Sequence, residues 1–384
     1  MTSVDKLADV VDVVIGVDTH THSHAAAAID ARTGGVIAEI SIEADADGYA
    51  ELVDFADEIA QSHGALRAWA IEGTASHGRG LAVHLDTLGE YVIELDRPER
   101  AHRRGGVKSD PADAIRAGRE ALSRERVGTP RGATRGATRG ATRGATRGAG
   151  SDPEVARIRQ ALATLLMARR SAVQAAGDAR RQLFSAVITA PEPVRARLRG
   201  LQATTLVAAA AKLRANAAWA QVDIETATAV HCLRLLARRV GDLTEEADQL
   251  EKQIKTLVKA WRADLLELFG VGPITAATIL CAWAHPGRIH SEAAFAKLAG
   301  VSPIEATSGQ IHTRHRLNRY GDRRLNCALH TITITRQRHD PTTRAYTERR
   351  TTQGKNPREI RRCLKRYIAR DLYRILQAGP PTTP

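Results

Sequence analysis

Two apolar runs near the start of the chain each lead into a carboxylate. Val13-Val14-Ile15-Gly16-Val17 runs into Asp18, and Ala68-Trp69-Ala70-Ile71 runs into Glu72. Short apolar runs of this kind read as buried strands, and a residue at a strand's end can reach a cleft from a rigid backbone. A third acidic feature follows in Val107-Lys108-Ser109-Asp110-Pro111-Ala112-Asp113-Ala114. Pro111 suits the first turn of a helix, and Ser109 or Asp110 suits its cap. Asp110 and Asp113, three apart, then share one face of that turn. Helix N-termini attract acids in general, so this pair means little by itself. Four acids on two strand ends and one helix start mean more, because a hard divalent cation such as Mg²⁺ relieves their repulsion.

The order of elements narrows the fold. Residues 11–18, 23–31 and 35–42 read as strands, with the turn signal Thr33-Gly34-Gly35 between the last two. Helical spacing covers 46–62, a strand 66–72, a helix 77–88 and a strand 91–95, with helices near 97–104 and 110–124. Three strands in meander order, followed by alternating helix and strand, is the ribonuclease H-like order, and a generic α/β domain shares it. An Asp on the first strand, a Glu on a later one and an Asp pair opening a late helix is the layout of a two-metal site on that fold. His20, His22 and His24 alternate beside Asp18. On one strand they would share a face, as a transition-metal site requires; otherwise they line the cleft or face solvent, with one assisting near the metal.

Residues 131–149 repeat Arg-Gly-Ala-Thr four times and add Arg-Gly-Ala. Gly in every unit disfavours a helix and no apolar face exists, so 127–151 reads as a flexible basic linker, the alternative being a phosphate-tracking arm. Residues 152–258 are almost free of Gly and Pro, with apolar residues recurring at three and four, including Leu233, Leu236, Val240, Leu243, Leu250, Ile254 and Leu257. This reads as two or three long helices in an antiparallel, coiled-coil-like arm, either a bundle within one chain or a platform for dimerisation and nucleic acid. In 266–284, the sequence reads as helix, Gly270-Val271-Gly272-Pro273 turn, helix, a helix-hairpin-helix-like element whose turn amides around Gly270 and Gly272 would hold a phosphate. Ser308-Gly309 reads as a tight turn presenting a hydroxyl. Helices are expected at about 321–338 and 357–377.

The charge pattern separates the two ends. Residues 1–126 hold 13 basic and 23 acidic groups, whereas 310–384 hold 18 basic and 5 acidic, within a chain of net charge +13. The basic end, with Arg314, Arg316, Arg319, Arg323 and Arg324 and interspersed tyrosines, suits a polyanion such as nucleic acid. The acidic head suits metal. Four scattered cysteines show no paired spacing, which fits a reducing compartment and speaks against a zinc site. The N-terminus carries no basic segment leading into an apolar core, and no run nears the ~18 apolar residues of a membrane span. A soluble cytoplasmic, nucleoid-associated protein with no membrane partner is expected.

Taken in order, these residues resemble the DEDD-type insertion-sequence transposases, the bridge-RNA-guided serine recombinases. The resemblance rests on Asp18, Ile71-Glu72-Gly73, Lys108-Ser109-Asp110-Pro111-Ala112-Asp113-Ala114, the helical arm, and Gly270-Val271-Gly272-Pro273 through Ser308-Gly309. It implies a RuvC-like metal-binding domain at 1–126, the linker at 127–151, a coiled-coil arm at 152–265 and a C-terminal transposase domain at 266–384. It implies that Asp18, Glu72, Asp110 and Asp113 bind Mg²⁺, or Mn²⁺, and that Ser308 is the nucleophile. It also implies a homo-oligomer, dimeric and tetrameric when synapsed, acting on element ends and target DNA under a structured guide RNA. The Arg-Gly-Ala-Thr repeat and the histidine cluster depart from the family's pattern. Two other functions fit the same residues: a metal-dependent junction nuclease that forms no covalent intermediate, and a non-catalytic nucleic-acid scaffold.

Overall fold

The structure is a computed structural model that describes residues 6–95, 110–124, 127–133, 152–214, 223–305, 315–317 and 321–379. The expected helix at 97–104 lies outside them, as does the repeat beyond Ala133. The chain is mixed α/β and mostly helical, with one five-stranded sheet. It divides into two compact units: Met1–Gln160 with Ala282–Asn326 and Arg350–Pro384, and Ala161–Cys281 with Cys327–Arg349.

In the first unit the strands are β1 (Val13–Thr19), β2 (Ser23–Asp30), β3 (Val36–Glu43), β4 (Arg67–Glu72) and β5 (Val92–Leu95). Their order in the sheet is β3-β2-β1-β4-β5. The pairs β1–β2 and β2–β3 are antiparallel, while β1–β4 and β4–β5 are parallel. After the short helix α1 (Leu7–Val10), the helices α2 (Ala46–His63), α3 (Arg79–Leu88) and α4 (Asp110–Ser123) cover the sheet. Successive side chains point to opposite faces of a strand, and the two cores follow that period. Ile15, Val17, Trp69 and Ile71 pack with Leu52, Leu81 and Leu85 of α2 and α3. Val14, Ala68, Ala70 and Ile93 pack with Ala117 and Ala121 of α4, and Ala25, Ala27 and Ile29 pack with its Ala114. Each buried Ile, Leu or Val contributes about 1.5–3 kcal/mol.

The face under α4 is built from small residues, and that sets how close the helix comes. A Cβ on Gly16 would meet the Ala114 carbonyl oxygen and lie 2.5 Å from the Gly118 nitrogen. Helix and strand backbones are therefore in direct contact at this point.

At the β5 edge, Glu94 N donates to Gly128 O at 2.8 Å. The buried Glu94 carboxylate faces Arg288 at 3.5 Å and Arg131 at 3.9 Å. Fully buried His285 has Nε2 3.2 Å from Pro130 O and Nδ1 3.0 Å from Pro286 O. This charge cluster joins residues 285–288 to the sheet within one unit.

The second unit holds most of α5 (Pro153–Thr189), α6 (Glu192–Leu198), α7 (Ala203–Ala211) and α8 (Ile224–Arg262). Arg169 pairs with Glu251 at 2.7 Å, while Leu183 and Val187 share a cluster with Val230 and Leu233, so α5 and α8 run antiparallel. The helix expected from 266 is a correction: a 3₁₀ turn at Ala263–Glu267 continues α8, and Leu268 is extended. Arg262 explains the break, since its buried guanidinium holds Asp264 at 2.7 Å and pins the chain as it leaves the α-helix.

Beyond it lie α9 (Pro273–Trp283), α10 (Glu292–Leu298), α11 (Arg323–His339), α12 (Pro341–Thr352) and α13 (Pro357–Ala378). Residues 303–305 and 315–317 form a two-stranded antiparallel ribbon, β6 and β7, on either side of 306–314.

Candidate metal centre and basic segment

The register of the sheet brings two of the four acids side by side. The β1–β4 pairing runs to Val17 opposite Ile71, so Asp18 and Glu72 occupy the next step of neighbouring strands. Asp18 follows Gly16 by two, and Glu72 follows Ala70 by two, so both belong to the face that α4 covers. Thr19 Oγ1 donates to Glu72 O at 3.0 Å and ties the two strand ends together.

The glycine contact then places the start of α4. Asp110 lies one turn before Ala114, the residue whose carbonyl meets Gly16, and this sets Asp110 over the end of β1. Asp18, His20 and Asp110 each offer a ligand atom within 4.8 Å of the others, and they are the only such group among the described residues. His20 Nε2 stands 3.1 Å from Asp18 Oδ2 and 3.4 Å from Asp110 Oδ1. The Asp18 side chain is 17% exposed and that of Asp110 55%, so the cluster opens to solvent on the helix side. Glu72 and Asp113 stand outside this group. Asp113 is ion-paired to Arg116 on the same helix.

The histidines do not share a face, which corrects the simple alternation. Strand β1 ends at Thr19 and β2 begins at Ser23, so a turn falls inside the series. His20 enters the acidic cluster, His22 is exposed, and His24 is buried on the opposite face against Tyr49, ring centroids 5.9 Å apart. Burial holds the His24 imidazole below its ordinary pKa, with the neighbouring His20 and His77 acting in the same direction. The position of His20 between Asp18 and Asp110 was the part of the cluster least visible in spacing. Its signal was proximity to Asp18, and the turn that aims it has no distinct signature.

The donor set suits a divalent cation: two carboxylates and an imidazole from a strand end, a turn and a helix start, with Glu72 beside them. Asp18 and Asp110 sit on backbone fixed by the sheet and by α4, and His20 on a turn closed by its amide donating to Ser23 O at 3.1 Å.

The remaining sequence-derived positions divide in two. Ser308, Arg314 and Arg319 lie outside the described residues. Arg316 is described for its backbone alone, in β7 opposite Ile304. Gly270 has φ +81°, and its turn lies on α11, where Arg336 Nε donates to Phe269 O at 2.9 Å. The Val271 amide donates to Leu268 O, and the Gly272 amide donates to Thr275 Oγ1 at 2.9 Å. These two amides are thus satisfied internally. Arg323 and Arg324 are exposed at the start of α11, whose first turn is capped by Asp322 Oδ1 accepting from the Arg324 and Leu325 amides.

Residues 262–348 match the family model described as Transposase IS116/IS110/IS902 family. No curated protein matches the chain. The matched segment contains Ser308, both turn glycines and the five arginines from Arg314 to Arg324, and none of the four acids. It supports an insertion-sequence transposase, and with it DNA binding. Among the described residues no helix is long and apolar enough to cross a membrane.

Proposed function

We propose that the protein is a DNA recombinase of a mobile insertion sequence that cuts and rejoins strands through Ser308, with a cation held by Asp18, Glu72, Asp110 and Asp113. The observation that carries this reading is the transposase match across 262–348, which spans Ser308. The convergence of Asp18 and Asp110, and the strand order β3-β2-β1-β4-β5, support a ribonuclease H or RuvC-like reading of the acidic half.

The chemistry is a transesterification. Ser308 Oγ attacks the phosphorus, the Oγ–P bond forms, and the P–O3′ bond breaks. The serine proton passes to a base, and the departing 3′ oxygen takes up a proton. The products are a 5′-phosphoserine and a free 3′ hydroxyl. Attack of a different 3′ hydroxyl on the phosphoserine reverses the step and joins new strands without an external energy source. A serine hydroxyl is a weak nucleophile and needs activation. A bound Mg²⁺ or Mn²⁺ would polarise the phosphodiester and stabilise the leaving oxygen. Asp18, Glu72 and Asp110 would hold it on the α4 side of the sheet, with Asp113 joining by releasing Arg116. Arg314, Arg316 and Arg319 would clamp the phosphate backbone, with Arg323 and Arg324 extending that surface. These groups suit phosphates rather than base edges, so base pairing by a structured guide RNA would supply specificity. The helical arm of α5 and α8 would bring subunits together by coiled-coil packing, as a dimer and as a tetramer in the synapse.

Strand exchange between a plasmid carrying the element ends and a target plasmid tests this, with the flanking transcript and Mg²⁺ present. Ser308→Ala and Asp110→Asn should each abolish joined product. Joined product from Ser308→Ala would exclude the serine chemistry, whereas cleavage to free ends without joining, undiminished in Ser308→Ala, would favour the metal-only nuclease.

A further inference from the structure

We infer that His20 supplies an imidazole ligand to the cation of the acidic centre, and that this ligand sets the site to prefer Mn²⁺ over Mg²⁺. The inference rests on the metal-binding reading above and extends it to a residue outside the four acids.

Cis donors about 2.1 Å from an octahedral ion lie about 3 Å apart. His20 Nε2 is 3.1 Å from Asp18 Oδ2 and 3.4 Å from Asp110 Oδ1, close to that spacing with both carboxylates at once. The ring is aimed by backbone: the His20 amide donates to Ser23 O at 3.1 Å and closes the turn between β1 and β2. The other two histidines of the series point elsewhere, one to solvent and one into the opposite core. Asp113, the second acid of the helix start, is turned to Arg116. In this arrangement His20 already stands with Asp18 and Asp110, whereas Asp113 would join only on releasing Arg116.

The chemistry follows from the donor. Mg²⁺ favours carboxylate and water oxygens and demands near-ideal geometry, whereas imidazole is a ligand of first-row transition ions. Exchanging one oxygen donor for an imidazole nitrogen therefore raises the affinity for Mn²⁺ relative to Mg²⁺.

The test is Mn²⁺ binding to the full chain, followed by electron paramagnetic resonance with Mg²⁺ as competitor. Pulsed measurements read ¹⁴N coupling to the bound ion. Wild type should show directly coordinated nitrogen. His20→Ala should lose that coupling and bind Mn²⁺ roughly tenfold more weakly, with Mg²⁺ affinity changed far less. His20→Gln keeps a hydrogen-bonding side chain between the carboxylates but no imidazole, and should match His20→Ala. If wild-type Mn²⁺ shows no nitrogen coupling, or if His20→Gln keeps the wild-type preference, His20 only positions the acids and the inference fails. Asp110→Asn separates the two readings. Loss of Mn²⁺ binding there with no nitrogen signal in wild type overturns His20 alone. Unchanged binding in Asp110→Asn overturns the acidic centre and the inference with it.

Discussion

Gly16 and Gly118 stand against each other where β1 runs beneath α4. A Cβ on Gly118 would lie 2.7 Å from Ile29 Cγ1 and 3.5 Å from the Gly16 nitrogen, and one on Gly16 would run into the helix backbone. The acidic centre depends on this contact, since it fixes the height of Asp110 above Asp18.

Gly16→Ala should push α4 off the sheet. The clash is with backbone, which cannot rotate away, so a loss of about 1–3 kcal/mol in stability is expected. Cation affinity should fall with it, although no ligand has been changed. Gly241 is the control, exposed within α8 and with open space around its Cα. Gly241→Ala should stabilise by up to about 1 kcal/mol. Thermal midpoints and Mn²⁺ titration of both variants check this, and a Gly16→Ala protein with unchanged affinity would contradict it.

Arg323 and Arg324 are exposed at the start of α11, whereas Arg366 is ion-paired to Glu292 at 2.6 Å and Arg336 is bonded to Phe269 O. Replacing both Arg323 and Arg324 by Ala should weaken binding evenly across DNA sequences and lower the salt slope by about 2. Arg366→Ala should instead lower the melting temperature. Binding isotherms at several salt concentrations distinguish the two effects.

His285 predicts a pH dependence for the first unit. Burial, with Arg288 and Arg159 nearby, pushes its imidazole below the ordinary 6.5 in spite of two backbone carbonyls at its ring nitrogens. The unfolded chain takes up this proton near pH 6.5, and the folded protein only at lower pH. Its stabilising share is therefore complete above about pH 6.5 and declines as the pH falls below that value. His285→Gln, which cannot titrate, should show a shallower fall in melting temperature between pH 7 and 5.5. An equal slope would assign the acid sensitivity to other groups.

The sheet was legible because its signals are local. Alternation and turn residues placed β1 to β5 to within about two residues, and Gly34 takes the positive φ that the Thr33-Gly34-Gly35 turn requires. Asp18, Glu72 and Asp110 were legible as element ends. The turn that swings His20 between two carboxylates was less so, because it depends on where β1 stops. The 3₁₀ turn at Ala263–Glu267 was hidden for a related reason: Leu265 and Leu266 continue a helical pattern, and the buried Arg262–Asp264 pair that breaks it leaves no periodic trace. The Glu94–Arg131–Arg288 cluster joins residues nearly two hundred positions apart, a distance over which no local pattern carries information. Helix α12, with charged and polar residues on most faces, had no stripe to announce it.

The most direct test of the central claim is a denaturing gel for a covalent protein–DNA adduct. The reaction would contain element-end DNA, the flanking transcript and Mg²⁺, with wild type, Ser308→Ala and Asp110→Asn compared side by side. A 5′-linked adduct is expected in wild type and in neither variant. Cleavage without an adduct, undiminished in Ser308→Ala, would contradict the central claim.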